Sequence, residues 1–182
     1  MSNFTLMQKI RNKIRIDKSS IVKLAKNIKL VGCSIIIKGK NNRLEIEDGV
    51  RVHRSMIEII GDNCLIKIGK DSMIGDNCYL VVKEENIHLT IGKSCGLSRN
   101  VKVMTSDGHP IFQNNIRINS AQNIVIGNNI WIGDNVTILK GVEVANESVI
   151  GINSVVTKSV ASNTVVAGNP AKVIKENITW KP

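Results

Sequence analysis

An all-β solenoid of short parallel strands stacked coil on coil is the fold class this sequence predicts, and three observations predict it. From Ile126 the chain reads IGNNIW, IGDNVT, ILKGVE, VANESV, IGINSV and VTKSVA. Ile126, Ile132, Ile138, Val144, Ile150 and Val156 therefore head six successive blocks of six residues. Neither the 3.6-residue period of a helix nor the alternation of one long strand generates that spacing, whereas a stacked repeat does. Second, apolar residues make up 42% of the chain but aromatic ones only 3%, so Ile and Val must fill the core. Third, Gly and Asn recur inside the blocks, where the chain must turn. Each block supplies one short strand and a turn, its first residue points inward, and three blocks close a triangular coil that pairs with the next at about 4.8 Å.

The elements follow in order. Residues 1–27 are expected to form a basic, helical N-terminal cap, because Leu6, Ile10 and Ile14 recur at helical spacing. Residues 1–30 carry Lys9, Arg11, Lys13, Arg15, Lys18, Lys23, Lys26 and Lys29 against Asp17 alone, a surplus of seven within a net charge of +10. Such a segment reads as a solvated helix packed by one edge, or as a contact for an anionic membrane surface or an anionic substrate. Nucleic acid is not expected, since five aromatic residues give no stacking platform. Residues 28–171 are assigned to the solenoid. GKNNRLEIEDGVRV at 39–52 resembles GDNCLIKIGKDSMI at 61–74, a larger internal repeat within it. AGNPAKVIKENITWKP leaves the period, so residues 172–182 are expected to cap the other end. Cys33, Cys64, Cys78 and Cys95 lack zinc-finger spacing and read as buried reduced thiols. With no apolar run of about 18 residues and no signal-peptide core, a cytoplasmic protein is the expectation.

The period fails over about residues 104–123, where TSDGHPIF stands. A solenoid face is flat, whereas a protruding loop makes a cleft with polar chemistry at its edge. His109 lies in this break. His53 and His88 lie in strand-like segments and read as structural.

From GHP onward the chain resembles the hexapeptide-repeat acyltransferases. IVIGNNIWIGDNVTILKGVEVANESVIGINSVVTKSV and VVAGNPAKVIKE match the sugar acetyltransferase branch, such as galactoside and maltose acetyltransferases, almost block for block. TSDGHPIF resembles relatives that O-acetylate capsular or O-antigen polysaccharide. The resemblance implies a left-handed parallel β-helix, a homotrimer with sites at subunit seams, and acetyl transfer from acetyl-CoA to a hydroxyl. It makes His109 the general base, a role suited to a group that takes a hydroxyl proton near neutral pH. Asp107 is expected to orient the imidazole.

The same resemblance places the coenzyme A arm against backbone around Gly133, Asp134, Gly151 and Ile152, with Trp131 near the thioester. Thr157 and Lys158 then lie beside the adenine-bearing end, and Lys172 and Lys175 near the 3′-phosphate, where lysines act as point charges. No metal is expected. The γ-type carbonic anhydrases, which the fold also resembles, need two histidines five residues apart, and here the spacings are 35 and 21. The acceptor is expected to be a carbohydrate, an anionic polymer such as a sialic-acid-containing capsule suiting the basic N-terminus. N-acetylation of an amino sugar or small xenobiotic, and a non-catalytic trimeric scaffold, stand as alternatives.

Overall fold

The structure is a computed structural model and describes residues 4–181. It is an all-β, left-handed parallel β-helix with three faces. The first face stacks the strands Lys13–Ile16, Ser34–Lys38, Met56–Ile60, Tyr79–Lys83, Lys102–Met104, Thr137–Ile138 and Val155–Val156. Six strands from Ile21–Leu24 to Glu143–Val144 form the second face. Seven parallel strands from Lys29–Val31 to Val165–Gly168, with Ala171–Lys175 antiparallel at the end, form the third.

The block-heading residues all point inward: Ile132, Ile138, Val144 and Ile150 are fully buried, and Ile126 and Val156 nearly so. Side chains in the corners must satisfy inward-facing carbonyls. The cysteines do this with weak S–H donors, Cys64 to Glu84 O at 3.0 Å and Cys95 to Gly127 O at 3.0 Å. In later coils Ser148 and Ser154 hold comparable positions with hydroxyls. All four thiols are free and buried, as expected, and burial pushes each above the usual thiol range.

The step of six recurs in earlier coils, as from Ile68 to Ile74 to Leu80, but three such steps close a coil only toward the C-terminal end, where Trp131 pairs with Val149 and Asn128 bonds Asn146, 18 residues on. Earlier coils repeat at 21 to 23 residues, because their first-face strands run to four or five residues, as in Ser34–Lys38 and Met56–Ile60, with a wider corner after them. The internal repeat between 39–52 and 61–74 is this longer coil.

The N-terminal boundary differs from the expectation. Only Leu6–Arg11 is helical, closed by a capping box between Thr5 and Gln8. Lys13–Ile16 and Ile21–Leu24 already pair in parallel with Ser34–Lys38 and Arg43–Ile46, so the solenoid begins at residue 13 and not at 28. The reason is that Ile14 and Ile16 alternate, which suits a strand; both pack on the core, while Leu6 and Ile10 do not. At the other end the parallel ladder stops at Gly168, and the chain turns back through Ala171–Lys175.

Gly69, Gly92 and Gly127 stack at the corner between the second and third faces. A Cβ on Gly92 would lie 2.3 Å from Gly127 O, inside the next coil's backbone. Gly96 sits on an open stretch of the third face, with nothing within 4 Å of its Cβ direction. Gly92→Ala should therefore destabilise by the upper part of the roughly 1–3 kcal/mol of over-packed sites. Gly96→Ala should stay within about 0.5 kcal/mol of the parent. Urea denaturation of both variants checks this pair; equal effects would show that coil spacing is not limiting.

Candidate active site

The loop leaves the first face after Lys102–Met104 and rejoins at Ile124–Ile126, so it projects from the corner between the first and second faces. The ladder continues past it: Lys102 pairs with Thr137 and Leu89 with Ile124, in the one coil that spans 35 residues. Within the loop, Phe112–Gln113 and Ile116–Arg117 form a small antiparallel hairpin, with Ile118 N–H donating to Ile111 O at 2.9 Å.

Two ion pairs fix this loop to the coils before and after it. Glu84, at the same corner one coil earlier, accepts from Arg117, from Ser106 Oγ at 3.2 Å and from Ala121 N–H at 3.3 Å. Lys140, at that corner one coil later, donates to Asp107 Oδ2 at 2.5 Å and to Asn119 O at 2.9 Å. Asn119 ties the strands of the loop together. Its amide donates to Asp107 Oδ2 at 2.9 Å and to His109 O at 2.8 Å, and its oxygen accepts from Ile111 N–H at 2.6 Å.

The hydrogen bond from Lys140 holds the Asp107 carboxyl below the usual carboxylate range, against the cost of burial. For Glu84, burial opposes ionisation most strongly, but the donors from Arg117, Ala121 and Ser106 together outweigh it and lower its pKa.

His109 is exposed, and its imidazole makes no hydrogen bond among the described residues. Its place is set through its own carbonyl. Asp107, expected to orient the ring, instead spends its Oδ2 on Lys140 and Asn119, so it positions the loop backbone. Glu84, Asn119, Arg117 and Lys140 were not singled out from sequence. Their signal is spatial, because residues 84 and 140 meet the loop only once coils of unequal length are stacked.

The remaining candidates separate over the prism. Thr157 and Lys158 follow Val155–Val156 and stand at the loop corner one coil beyond Lys140, both exposed. Gly133, Asp134, Gly151 and Ile152 occupy the corner between the third and first faces. The N–H groups of Gly133 and Gly151 already donate to Ile150 O and Val166 O, at 2.9 and 2.8 Å. These glycines therefore permit close stacking and offer a ligand no donor. The available donors are one residue further on. Asp134 Oδ1 accepts from Arg99 N–H at 2.9 Å, and its Oδ2 is held by the Arg99 guanidinium, which keeps the carboxyl below its ordinary range. The corresponding acceptor for Asp134 N–H would come from residue 152, which is Ile152. Among the described residues neither Asp134 N–H nor Ile152 N–H has an acceptor.

Trp131 lies on the third face, 46% exposed, beside a groove of about 590 Å³ whose floor includes Met73, Gly96 and Leu97. Trp180 from the C-terminal tail closes one side, its ring centroid 6.1 Å from that of Trp131 and its Nε1 donating to Asn129 O at 2.7 Å. One of only two tryptophans in a chain so poor in aromatics, Trp180 carried a compositional signal. Lys172 and Lys175 are exposed on the antiparallel strand at the end of this face. The third face is opposite the loop corner, so one chain does not bring Trp131 and His109 together.

A left-handed parallel β-helix carrying one projecting, histidine-bearing loop is the architecture expected of a hexapeptide-repeat acyltransferase. Comparison with known proteins narrows this. A polysialic acid O-acetyltransferase of Neisseria meningitidis is 36% identical over 168 residues, 91% of this chain and 77% of that protein. A polysialic acid O-acetyltransferase of Escherichia coli O1:K1 / APEC is 37% identical over 138 residues, 72% of this chain; this chain spans less than half of that protein, 44%. The galactoside O-acetyltransferase of Escherichia coli (strain K12) is 33% identical over 72% of this chain and 70% of its own length. Among solved structures, the polysialic acid O-acetyltransferase OatWY superposes with a TM-score of 0.81 at 33% identity, covering 94% of this chain and 88% of that one. The polySia-specific acetyltransferase NeuO gives 0.77 at 33% identity, covering 94% and 83%. No family model matches the chain. The chain belongs to the sugar and polysaccharide O-acetyltransferase branch of the hexapeptide-repeat acyltransferases.

The clamps have a pH signature. Asp107 and Glu84 have lowered folded-state pKa values, so their contribution is complete above the unfolded carboxylate range, about 4, and is lost as pH falls through the folded values. Amide exchange of residues 105–121, corrected for intrinsic rates, should stay constant from neutral pH to about 5 and rise steeply in more acid solution. Lys140→Met should loosen the loop at neutral pH by up to about fivefold, as expected for losing one partly exposed ion pair. A loop whose exchange ignores both changes would not be held by these pairs.

Proposed function

We propose that this protein is an acetyl-CoA-dependent O-acetyltransferase acting on a hydroxyl of polysialic acid or a closely related anionic polysaccharide, with His109 as general base in a homotrimer. The observation that carries the acceptor is the similarity to two polysialic acid O-acetyltransferases, one of them matched over 91% of this chain. His109 supports the chemistry by residue type and by its exposed place on a loop pinned at both ends. The imidazole accepts the acceptor hydroxyl's proton as that oxygen attacks the thioester carbonyl carbon. The carbon–sulfur bond then breaks, and the proton passes from the imidazolium to the departing thiolate.

The residues present suit the cosubstrate. Asp134 and Ile152 offer backbone N–H donors for an amide-bearing arm, and Trp131 offers an apolar surface beside them. Exposed Lys158, Lys172 and Lys175 supply positive charge for its phosphates. The separation of His109 from Trp131 supports the trimer. A site that uses both residues needs the loop of one chain set against the third face of a neighbour. The exposed loop side chains Ile111, Phe112, Ile116 and Ile118 would find apolar cover there.

Purified protein given acetyl-CoA and polysialic acid should release free thiol and add acetyl mass to the glycan. His109→Ala should lower kcat by about 10²–10⁴-fold. Mixing inactive His109→Ala and Trp131→Ala chains after unfolding and refolding should restore part of the activity. No transfer to polysialic acid, with transfer to another sugar, would move the acceptor; no rescue in the mixed sample would place both residues in one chain's site.

A further inference from the structure

The N-terminal helix is not used for packing. Phe4, 6% exposed, plugs the open end of the aliphatic core, whereas helix Leu6–Arg11 has no buried residue. Its large apolar side chains point outward, Leu6 at 76%, Met7 at 55% and Ile10 at 71% exposed. At 100° per residue these three fall within one arc of about 100°, flanked by Lys9 on one side and Arg11 on the other. Gln8 lies across the helix and is spent on the capping box.

The coil beneath adds charge. Lys13, Arg15, Lys18, Lys26 and Lys29 are all exposed. Of the eight cations in residues 1–30, only Lys23 has an ion-pair partner among the described residues, Glu45 at 3.2 Å. The one acid of this region, Asp17, is occupied in capping Gly39 N–H at 2.9 Å. This end of the solenoid thus presents a small apolar arc inside a field of uncompensated positive charge.

Three kinds of partner are distinguishable by chemistry. A second copy joined end to end would cover the apolar arc but would oppose two like surpluses of charge, which suppresses such pairing. A polyanion in solution would use the cations and leave Leu6, Met7 and Ile10 in water. A bilayer with anionic headgroups satisfies both features, since the arc enters the headgroup boundary and the lysines and arginines stay at the lipid phosphates. No described helix is long and apolar enough to cross a membrane. We infer that the N-terminal end of the solenoid is a docking surface for an anionic lipid membrane, with Leu6, Met7 and Ile10 as the inserted residues and Lys9 and Arg11 as their flanking headgroup contacts.

The test is flotation of the full chain with two vesicle preparations, phosphatidylcholine mixed with phosphatidylglycerol and phosphatidylcholine alone. The expected result is binding to the mixed vesicles that falls by roughly tenfold or more on neutral ones. The triple variant L6S/M7S/I10S should lose at least about tenfold in affinity, because apolar insertion scales with the area buried. It should keep the parent's melting temperature and its activity on soluble acceptor, since none of the three side chains is buried. K9Q/R11Q should lose roughly tenfold or more by removing two surface charges. Absence of binding to either vesicle would overturn the inference. So would binding that the serine variant retains in full, which would mean adsorption by charge alone. Retention on immobilised polysialic acid without vesicle binding, lost in K9Q/R11Q, would assign this end to the glycan. A larger assembly in sedimentation that the serine variant dissolves would assign it to a second copy.

Discussion

Each coil of this protein can satisfy its backbone only on the coils directly before and after it. That constraint fixes coil spacing at the strand-pairing distance, about 4.8 Å, and every corner must live within it. Where the turn of one coil meets the turn of the next, a Cβ has no room, hence the stack Gly69, Gly92 and Gly127. Where a turn N–H points along the axis, a side-chain acceptor from the adjoining coil meets it, as Asn128 does for Lys93 and Asp134 does for Arg99. Asn in the left-handed conformation adds a third column, with Asn100 bonded to Asn135 and Asn135 to Asn153, both at 2.9 Å.

The candidate site features are departures from these columns. At the corner between the third and first faces, Asp134 accepts from Arg99 N–H, but Ile152 offers no such acceptor in turn, and the N–H groups of Asp134 and Ile152 stay unpartnered among the described residues, at positions where the family resemblance puts an amide-bearing arm. At the corner between the first and second faces, the column opens to release the loop, but the charges of its flanking coils remain. Glu84 and Lys140 are corner residues of the same kind as Asp17 and Asp62, which cap Gly39 and Lys40 in the opening coils. Their partners are now inside the loop. The loop is therefore an enlarged corner held by the same interactions as any other, which is how a histidine exposed to solvent keeps a defined backbone position.

Most of the fold was legible because a period survives substitution. Ile126 to Val156 read as inward positions without any knowledge of contacts, and the loop was visible as the place where that rhythm fails. The error at the N-terminus has a definite cause. Leu6, Ile10 and Ile14 fit helical spacing, Ile14 and Ile16 equally fit a strand, and Lys13 and Arg15 suit either reading. The ladder beneath decided it, because Ile14 and Ile16 gain a core by pairing with Ser34–Lys38. In the candidate site, chemistry and setting put His109 forward as a catalytic residue. Its supports could not be read this way, since Glu84 and Lys140 lie on either side of a loop whose corner depends on coil lengths of 23, 35 and 18 residues. Asp107 shows the limit of proximity in sequence: two residues from the histidine, it faces Lys140.

A solenoid couples each coil mainly to its neighbours, and this decides how the parts of the molecule can depend on one another. The basic end rests on the coils that begin at Lys13 and Ser34. The loop rests on those that carry Glu84 and Lys140, and the donor pair at Asp134 and Ile152 rests on the last regular turns. Because Lys102 still pairs with Thr137 across the loop, loosening the loop leaves the ladder intact, and changing the end coil does not reach it. In the proposed trimer, geometry between chains would join these parts. The third face and the loop corner of one prism look in opposite directions, so a site that uses Trp131 and His109 has to be built by association. The same association would set the N-terminal helices of all chains on one side whenever the prism axes run parallel. An anchor at that end and a site along the sides would then be compatible without any conformational change linking them.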